Sequence, residues 1–268
     1  MNRLINLCRP ASFVFLVLLF LAGCSVAQQS KKAGPDPDFH LYLLVGQSNM
    51  AGRGLVDAAS KEGHPRLMML DRSNQWVPAT DPLHFDKPAV AGVGPGLAFG
   101  LEMAGRSSNN VRIGLIPCAV GGSPIDSWQP GGYDKATDTH PYEEALTRAR
   151  AAQQSGVIKG IIWHQGESDS SPEKAAAYLP KLVSLVANLR RDLGDDRLPF
   201  VAGELGYYKE AYQRINAQLP LLPRQAAHTA VVSARGLSHK GDVTHFDAAS
   251  ARELGRRYAA AMAPLLKP

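Results

Sequence analysis

Four short stretches of this chain concentrate residues able to do chemistry. The first, Gly46-Gln47-Ser48-Asn49-Met50-Ala51-Gly52-Arg53-Gly54, is a small-residue turn that presents Ser48 where a helix can begin. Ser48 is a candidate nucleophile, and its backbone N–H at a helix start would point toward charge developing on a bound carbonyl oxygen. The plainer reading makes Ser48 or Asn49 a helix N-cap and the glycines turn formers. The second stretch, Cys118-Ala119-Val120-Gly121-Gly122-Ser123-Pro124, is followed by Asp126 and Trp128. Its paired glycines lack Cβ atoms, so backbone N–H groups can approach a ligand closely, or the loop can simply turn tightly. The third, Trp163-His164-Gln165-Gly166-Glu167-Ser168-Asp169, crowds polar groups at the end of an apolar run. Here Gln165 can donate an amide N–H, while Glu167 and Asp169 can orient neighbours or cap a helix starting near Pro172. The fourth, Ser238 to Asp247, sets Asp242 three residues before His245. At that spacing the carboxylate can curl back onto Nδ1, fix the tautomer and leave Nε2 to act as base toward a serine. As a surface loop, the same stretch would need only Asp247 as a cap.

Other features point to less. There is no His-Glu-x-x-His and no paired cysteine motif, and the 8 histidines are scattered, so neither a metal site nor a cofactor is expected. Gly92-x-Gly94-x-Gly96 imitates a phosphate loop but lacks the closing lysine and reads as a flexible connection. Cys118 reads as a small core residue. Trp76, Trp128 and Tyr133 can stack on sugar faces or fill the core, and Arg53 can meet a polar substrate or pair with an acid.

Positioning such groups requires a scaffold, and apolar periodicity supplies one. Short apolar runs at His40–Val45, Arg66–Leu70, Val111–Pro117, Val157–Trp163, Pro199–Gly203 and Thr229–Ser233 predict strands buried on both faces. Apolar residues at spacings of three and four predict helices over Gly96–Arg106, Tyr142–Gln154, Glu173–Leu193, Lys209–Leu219 and Asp247–Met262, with Leu182, Leu185, Val186 and Leu189 the clearest stripe. Alternation of this kind predicts a three-layer α/β/α sandwich around a mostly parallel sheet, whose ligand crevice lies beyond the carboxyl ends of the strands. The four polar stretches fall at or near such ends.

The 268 residues are 45% hydrophobic and 20% charged, the balance of a packed protein, which excludes a disordered chain or a multi-pass membrane protein. Arg3 and Arg9 flank the start of an apolar stretch, Ala11 to Leu21, too short to span a bilayer, which reads as an export signal over residues 1–23. It closes on Leu21-Ala22-Gly23-Cys24, a sequence that resembles the lipobox of bacterial lipoproteins, so Cys24 is the expected lipid attachment site and the membrane an expected partner. Ordinary secretion with cleavage near Ala27 is the alternative. Ser25 after the cysteine favours passage to an outer membrane. Removing the signal leaves 27 basic against 24 acidic residues, without the clustered basic face that nucleic acid requires. Residues 24–38 are polar and proline-bearing and read as a tether, and residues 39–268 as one domain in which Cys118 is the only thiol, so no internal disulfide is available.

In combination, Gly46-Gln47-Ser48-Asn49-Met50, Gly121-Gly122-Ser123, His164-Gln165-Gly166-Glu167-Ser168-Asp169 and Asp242-x-x-His245-Phe246 resemble the SGNH-hydrolase superfamily, and within it the sialate O-acetylesterase and plant carbohydrate acetylesterase group that includes carbohydrate esterase family six. The resemblance covers about residues 40 to 262. It implies Ser48 as nucleophile, His245 as general base and acid, Asp242 as its orienting carboxylate, and an oxyanion hole from the Ser48 N–H, the Gly121 N–H and the Gln165 amide. Glu167, with Gly122 and Asn49, would support the site, and Glu167 would share the role of Asp242 if it met the histidine. The implied activity is removal of acetate from acetylated sugars, xylan or sialic acids among them, without a metal. A silent sugar-binding lipoprotein and an esterase of longer acyl chains are the alternatives.

Overall fold

The computed structural model describes residues 34–267; the expected export signal, Cys24 and the first part of the tether lie outside the described residues. Among the described residues seven strands form one sheet in the order β3-β2-β4-β1-β5-β6-β7, and every neighbouring pair is parallel except β2 with β3. The strands are β1 (Asp36–Gly46), β2 (Leu67–Leu70), β3 (Trp76–Pro78), β4 (Arg112–Pro117), β5 (Gly156–His164), β6 (Phe200–Gly203) and β7 (Thr229–Val232). Six of them coincide with the expected apolar runs. The antiparallel edge strand β3 was not expected, since Trp76-Val77-Pro78 is too short to show a period.

Alternation along β1 explains the layering. Leu41, Leu43 and Val45 point into one apolar cluster, together with α3 (Pro141–Ala152) and α5 (Tyr178–Leu193). Tyr42 and Leu44 point into a second cluster, with α2 (Pro95–Arg106) and α8 (Ala248–Leu265). Both faces of the central strand are therefore buried, each such leucine contributing about 2 kcal/mol relative to exposure. The stripe of Leu182, Leu185, Val186 and Leu189 on α5 is fully buried, as its spacing predicts. Asp247 caps α8 through the Ser250 N–H at 2.7 Å.

Three expectations need correction. β1 begins at Asp36, inside the expected tether, because Asp36 pairs with Gly156 and its carboxylate meets Arg112 at 3.1 Å. The helix expected over Glu173–Leu193 is two, α4 (Pro172–Ala176) and α5, parted at Ala177; the Ala175 carbonyl is taken by the Gln218 side chain, and the Tyr178 hydroxyl turns inward to donate to the Gln165 carbonyl at 2.7 Å. The helix expected over Lys209–Leu219 is cut into a single turn at Glu210–Tyr212, α6 (Gln213–Asn216) and a turn at Leu219–Leu221, followed by α7 (Leu222–Gln225). Pro220 and Pro223 cannot continue a helix from within, and Asn216 points inward to pair with the Leu205 N–H and carbonyl at 2.8 and 2.9 Å.

From β1 the chain runs to β2 and β3, returns through α2 to β4 beside β1, then crosses through α3 to β5 on the other side of β1. Loops leaving β1, β4 and β5 therefore diverge at the middle of the sheet, where a crevice opens.

Candidate active site

Ser48 is placed by the end of β1. Gly46 has φ +129°, and a Cβ there would strike the His164 carbonyl, so only glycine lets the chain turn here. The turn starts a four-residue helix, α1 (Ser48–Ala51), and leaves the Ser48 N–H without an acceptor among the described residues. His245 Nε2 lies 3.0 Å from Ser48 Oγ, and His245 Nδ1 lies 2.7 Å from Asp242 Oδ2. The other oxygen, Asp242 Oδ1, accepts the Thr244 and His245 N–H groups at 3.0 and 2.8 Å. Partial burial would raise the Asp242 pKa, but the His245 backbone and ring hydrogen bonds outweigh it and hold the carboxyl well below the usual range. An ionised Asp242 therefore keeps the proton on Nδ1 and the lone pair of Nε2 on the serine, an arrangement that can activate Ser48.

His245 and Asp242 share one loop, closed by the antiparallel bridge His239↔Phe246 and by the Lys240 N–H donating to the His245 carbonyl at 2.8 Å. Asn49, next to Ser48, straps that loop to the sheet. Its Oδ1 accepts the Phe246 N–H at 3.0 Å, and its Nδ2 donates to the Thr244 carbonyl at 3.1 Å and to Glu167 Oε1 at 2.6 Å. Glu167 thus reaches the His245 loop only through Asn49, which holds the backbone on either side of His245, while Asp242 is the carboxylate on the imidazole. Burial pushes its pKa up to about 7. Behind it, the Tyr258 hydroxyl donates to the Trp163 carbonyl at 2.6 Å and accepts from His164 Nδ1 at 3.2 Å. His164 Nε2 is left without a partner, 3.9 Å from Glu167, and burial pushes the imidazole down to about 3, keeping it neutral.

The expected oxyanion donors need correction. Gln165 is wholly buried; its Nε2 faces Asp169 Oδ2 at 2.5 Å, the Ser123 carbonyl at 3.1 Å and Gln47 Oε1 at 3.2 Å, so it braces loops and does not reach the cleft. The Gly121 N–H donates to Asp86 Oδ2 at 2.9 Å. Two other donors line the cleft. The Gly122 N–H has no acceptor among the described residues, and Gln47, whose Oε1 is held by Gln165, lines the cleft with its Nε2 unengaged. Gln165 is the donor that the family resemblance implies, and nothing local in the sequence marks Gln47, which also follows a strand, as the one that turns toward the cleft. Trp128 is fully buried against Trp163, its N–H on Ser123 Oγ at 2.8 Å, and touches no cleft. Arg53 lines the cleft, but its guanidinium is engaged by the Gly52 carbonyl and Asp86 at 2.7 and 2.8 Å. The Gly92-x-Gly94 segment is pinned rather than flexible: Gly54 and Val93 exchange hydrogen bonds of 3.0 and 2.9 Å, and a Cβ on Gly94 would crowd the Met50 carbonyl at 2.9 Å.

The cleft holds about 460 Å³, and Ser48, His245, Gln47, Gly122 and Glu167 line it. Lys87 and Lys209 stand on its rim, and among the described residues neither has an acidic partner at ion-pair distance. Lys209 lies over the Tyr212 ring, 5.3 Å from its centre. Among the described residues no group of three or more His, Cys, Asp or Glu side chains is arranged to hold a metal ion.

The sheet order, with helices on both faces and a crevice at its middle, defines a three-layer α/β/α sandwich. Residues 38–264 match the family model described as carbohydrate esterase, sialic acid-specific acetylesterase, and the chain belongs to that family. It is 33% identical over 247 residues to a probable carbohydrate esterase of Arabidopsis thaliana, covering 82% of this chain and 89% of that one. It is 27% identical over 202 residues to a probable 9-O-acetyl-N-acetylneuraminic acid deacetylase of Escherichia coli K12, covering 59% and 62%. Among solved structures, an Arabidopsis thaliana protein superposes with a TM-score of 0.76 at 30% identity over 85% of this chain and 99% of its own. NanS superposes with 0.69 at 21% identity over 85% and 98%, a likeness of fold.

Proposed function

We propose that this protein is a serine carbohydrate acetylesterase in which Ser48 attacks the ester carbonyl, His245 takes and then returns the proton, and Asp242 orients the imidazole. The observation that carries the reading is the continuous relay from Asp242 through His245 to Ser48, at 2.7 and 3.0 Å, in an open cleft. The Ser48 N–H, the Gly122 N–H and Gln47 Nε2 are the unengaged donors for the oxyanion, and each such donor is commonly worth on the order of a hundredfold in rate. The acyl-enzyme forms as the sugar hydroxyl leaves with the proton from His245; water then releases acetate.

Two lysines on the rim, without an acidic partner among the described residues, favour an acetylated sugar that carries a carboxylate, such as an O-acetylated sialic acid, over a neutral xylan. The Leu21-Ala22-Gly23-Cys24 sequence supports export and a lipid anchor. Acetate release from 4-nitrophenyl acetate, O-acetylated sialic acid and acetylated xylan tests this reading, with Ser48→Ala and His245→Ala alongside. Activity that disappears in both variants is expected. A folded wild-type protein inactive on all three would overturn the esterase reading in favour of a silent sugar-binding protein.

A further inference from the structure

The three donors left for an oxyanion stand on two separate pieces of chain: Gln47 and the Ser48 N–H just after β1, and the Gly122 N–H on the loop after β4. A donor is effective only at about 2.7–3.1 Å from the developing charge, so the spacing of those two pieces decides whether the donors converge on one oxygen. The free Gly122 N–H belongs to the Gly121–Gly122 peptide, and the peptides on both sides of it are pinned. Ahead of it, the Gly121 N–H donates to Asp86 Oδ2 at 2.9 Å and the Val120 carbonyl accepts from Ser123 Oγ at 2.8 Å. Behind it, the Gly122 carbonyl accepts from the Ser168 hydroxyl at 2.9 Å, and the Ser123 N–H returns to the Val120 carbonyl at 3.3 Å.

Asp86 Oδ2 also accepts from Arg53 Nη2 at 2.8 Å, and Arg53 Nη1 donates to the Gly52 carbonyl at 2.7 Å. The Gly52 N–H closes α1 on the Ser48 carbonyl at 2.9 Å. One carboxylate oxygen therefore ties the loop after β4 to the residues that end the helix of the serine. Both side chains of the pair are only 4% exposed. Desolvating two charges makes such a pair no better for stability than apolar side chains of the same volume, so its place beside the cleft calls for another use. Burial opposes ionisation of Asp86, but the hydrogen bond and charge of Arg53 outweigh it and hold the carboxyl below its ordinary range, so it remains a charged acceptor for the Gly121 N–H. The guanidinium in turn offsets a negative charge that would otherwise stand near the oxyanion. The fit is close: a Cβ on Gly121 would lie 2.5 Å from Arg53 Nη2 and 2.7 Å from Asp86 Oδ2.

We propose that Asp86 and Arg53 are positioning residues for the oxyanion hole, a buried clamp that fixes the Gly122 N–H against the Ser48 N–H so that both meet the same oxygen. The inference deepens the acetylesterase reading and rests on it. Neither side chain exchanges a proton or a bond with the ester in this role; each acts through the backbone it holds.

The test compares 4-nitrophenyl acetate with O-(4-nitrophenyl) thioacetate, in which sulfur replaces the carbonyl oxygen. Sulfur is a weak hydrogen-bond acceptor, so the donors speed the oxygen ester far more than the sulfur one, and the ratio of the two rates reports the oxyanion hole alone. The full-length protein, Asp86→Ala and Gly121→Ala are assayed, with circular dichroism to follow folding; Gly121→Ala wedges the loop off the clamp from the opposite side and serves if Asp86→Ala does not fold. Each variant should lose about a hundredfold in kcat on the oxygen ester, with KM changed less than about threefold and the sulfur ester slowed less than about threefold. Asn49→Ala, which disturbs the imidazole instead, should slow both esters by the same factor. A folded clamp variant that slows both esters equally, or that keeps kcat on the oxygen ester within about threefold of wild type, would overturn the clamp and leave the esterase reading in place. A folded wild-type protein without hydrolysis that depends on Ser48 would remove the esterase reading and the clamp together.

Discussion

Replacing Asn49 by alanine separates positioning from chemistry, because Asn49 touches neither the serine hydroxyl nor the imidazole in the contacts described above. The change strips partners from the Phe246 N–H, the Thr244 carbonyl and Glu167 Oε1, groups held at 3.0, 3.1 and 2.6 Å. At about 1 kcal/mol for each lost partner, the variant should lose about 3 kcal/mol of stability. For a domain of this size that lowers Tm by about 10 °C. Because the two bonds to the loop flank His245 directly, its imidazole would no longer be held to Ser48, and a displacement of about 1 Å costs about a hundredfold in kcat. The assay is hydrolysis of 4-nitrophenyl acetate well below the melting transition, with circular dichroism to follow folding. KM should change little. Asn49→Asp sharpens the test: it keeps the acceptor for Phe246 but sets a second carboxyl against Glu167, so one of the two must hold a proton to restore the bond. Its kcat relative to wild type should rise as pH falls from about 8 to about 5. A folded Asn49→Ala protein that loses the stability but keeps kcat within about threefold, far short of the loss a misplaced imidazole entails, would refute the strap.

Asp242→Asn should lower kcat by roughly 10³ to 10⁴, with Tm little changed, because an amide in place of the carboxylate permits the wrong imidazole tautomer; parallel rates and melting curves check it. Burial raises Glu167 from 4.5 to about 7, so the folded state holds that proton more tightly than the unfolded one, and stability falls as pH rises through that window. Glu167→Gln should flatten this part of the stability profile by at most about 3 kcal/mol, read by urea unfolding at several pH values; Asp81, raised to about 7 by the same cause, should leave a remaining slope that Asp81→Asn removes. Lys87→Glu with Lys209→Glu should raise KM for O-acetylated sialic acid about tenfold at low salt and leave 4-nitrophenyl acetate unaffected; a rise equal for both esters would count against the electrostatic reading.

Much of this arrangement was legible in the sequence because burial on both faces leaves long apolar runs, and because the residues after β1, β4 and β5 must lie at one end of the sheet. The relay was legible for a local reason: Asp242 and His245 sit three apart on one loop, so their contact needs little of the fold. What depended on tertiary packing was not. Gln47 and Gln165 look alike in sequence, each following one of the paired strand ends Gly46 and His164, and only the packing of the loops around them leaves the first lining the cleft while the second is buried among Asp169, Ser123 and Gln47. Gly121 looked like an oxyanion donor, but its N–H is claimed by Asp86, thirty-five residues away in the chain. The apolar spacing after Lys209 hid the cut at Asn216, where the side chain turns in to Leu205, and the break at Ala177 depends on Gln218 reaching the Ala175 carbonyl.

The serine follows directly on the central strand β1, whereas the histidine and aspartate ride on a small hairpin closed on itself between His239 and Phe246. The two halves of the relay therefore have different thermal lifetimes. Such a hairpin can open at a free energy well below that of global unfolding. Warming should silence the protein reversibly while its circular dichroism is still native, and cooling should bring activity back without refolding, so that the upper temperature of activity reports the hinge of one loop rather than the melting of the domain.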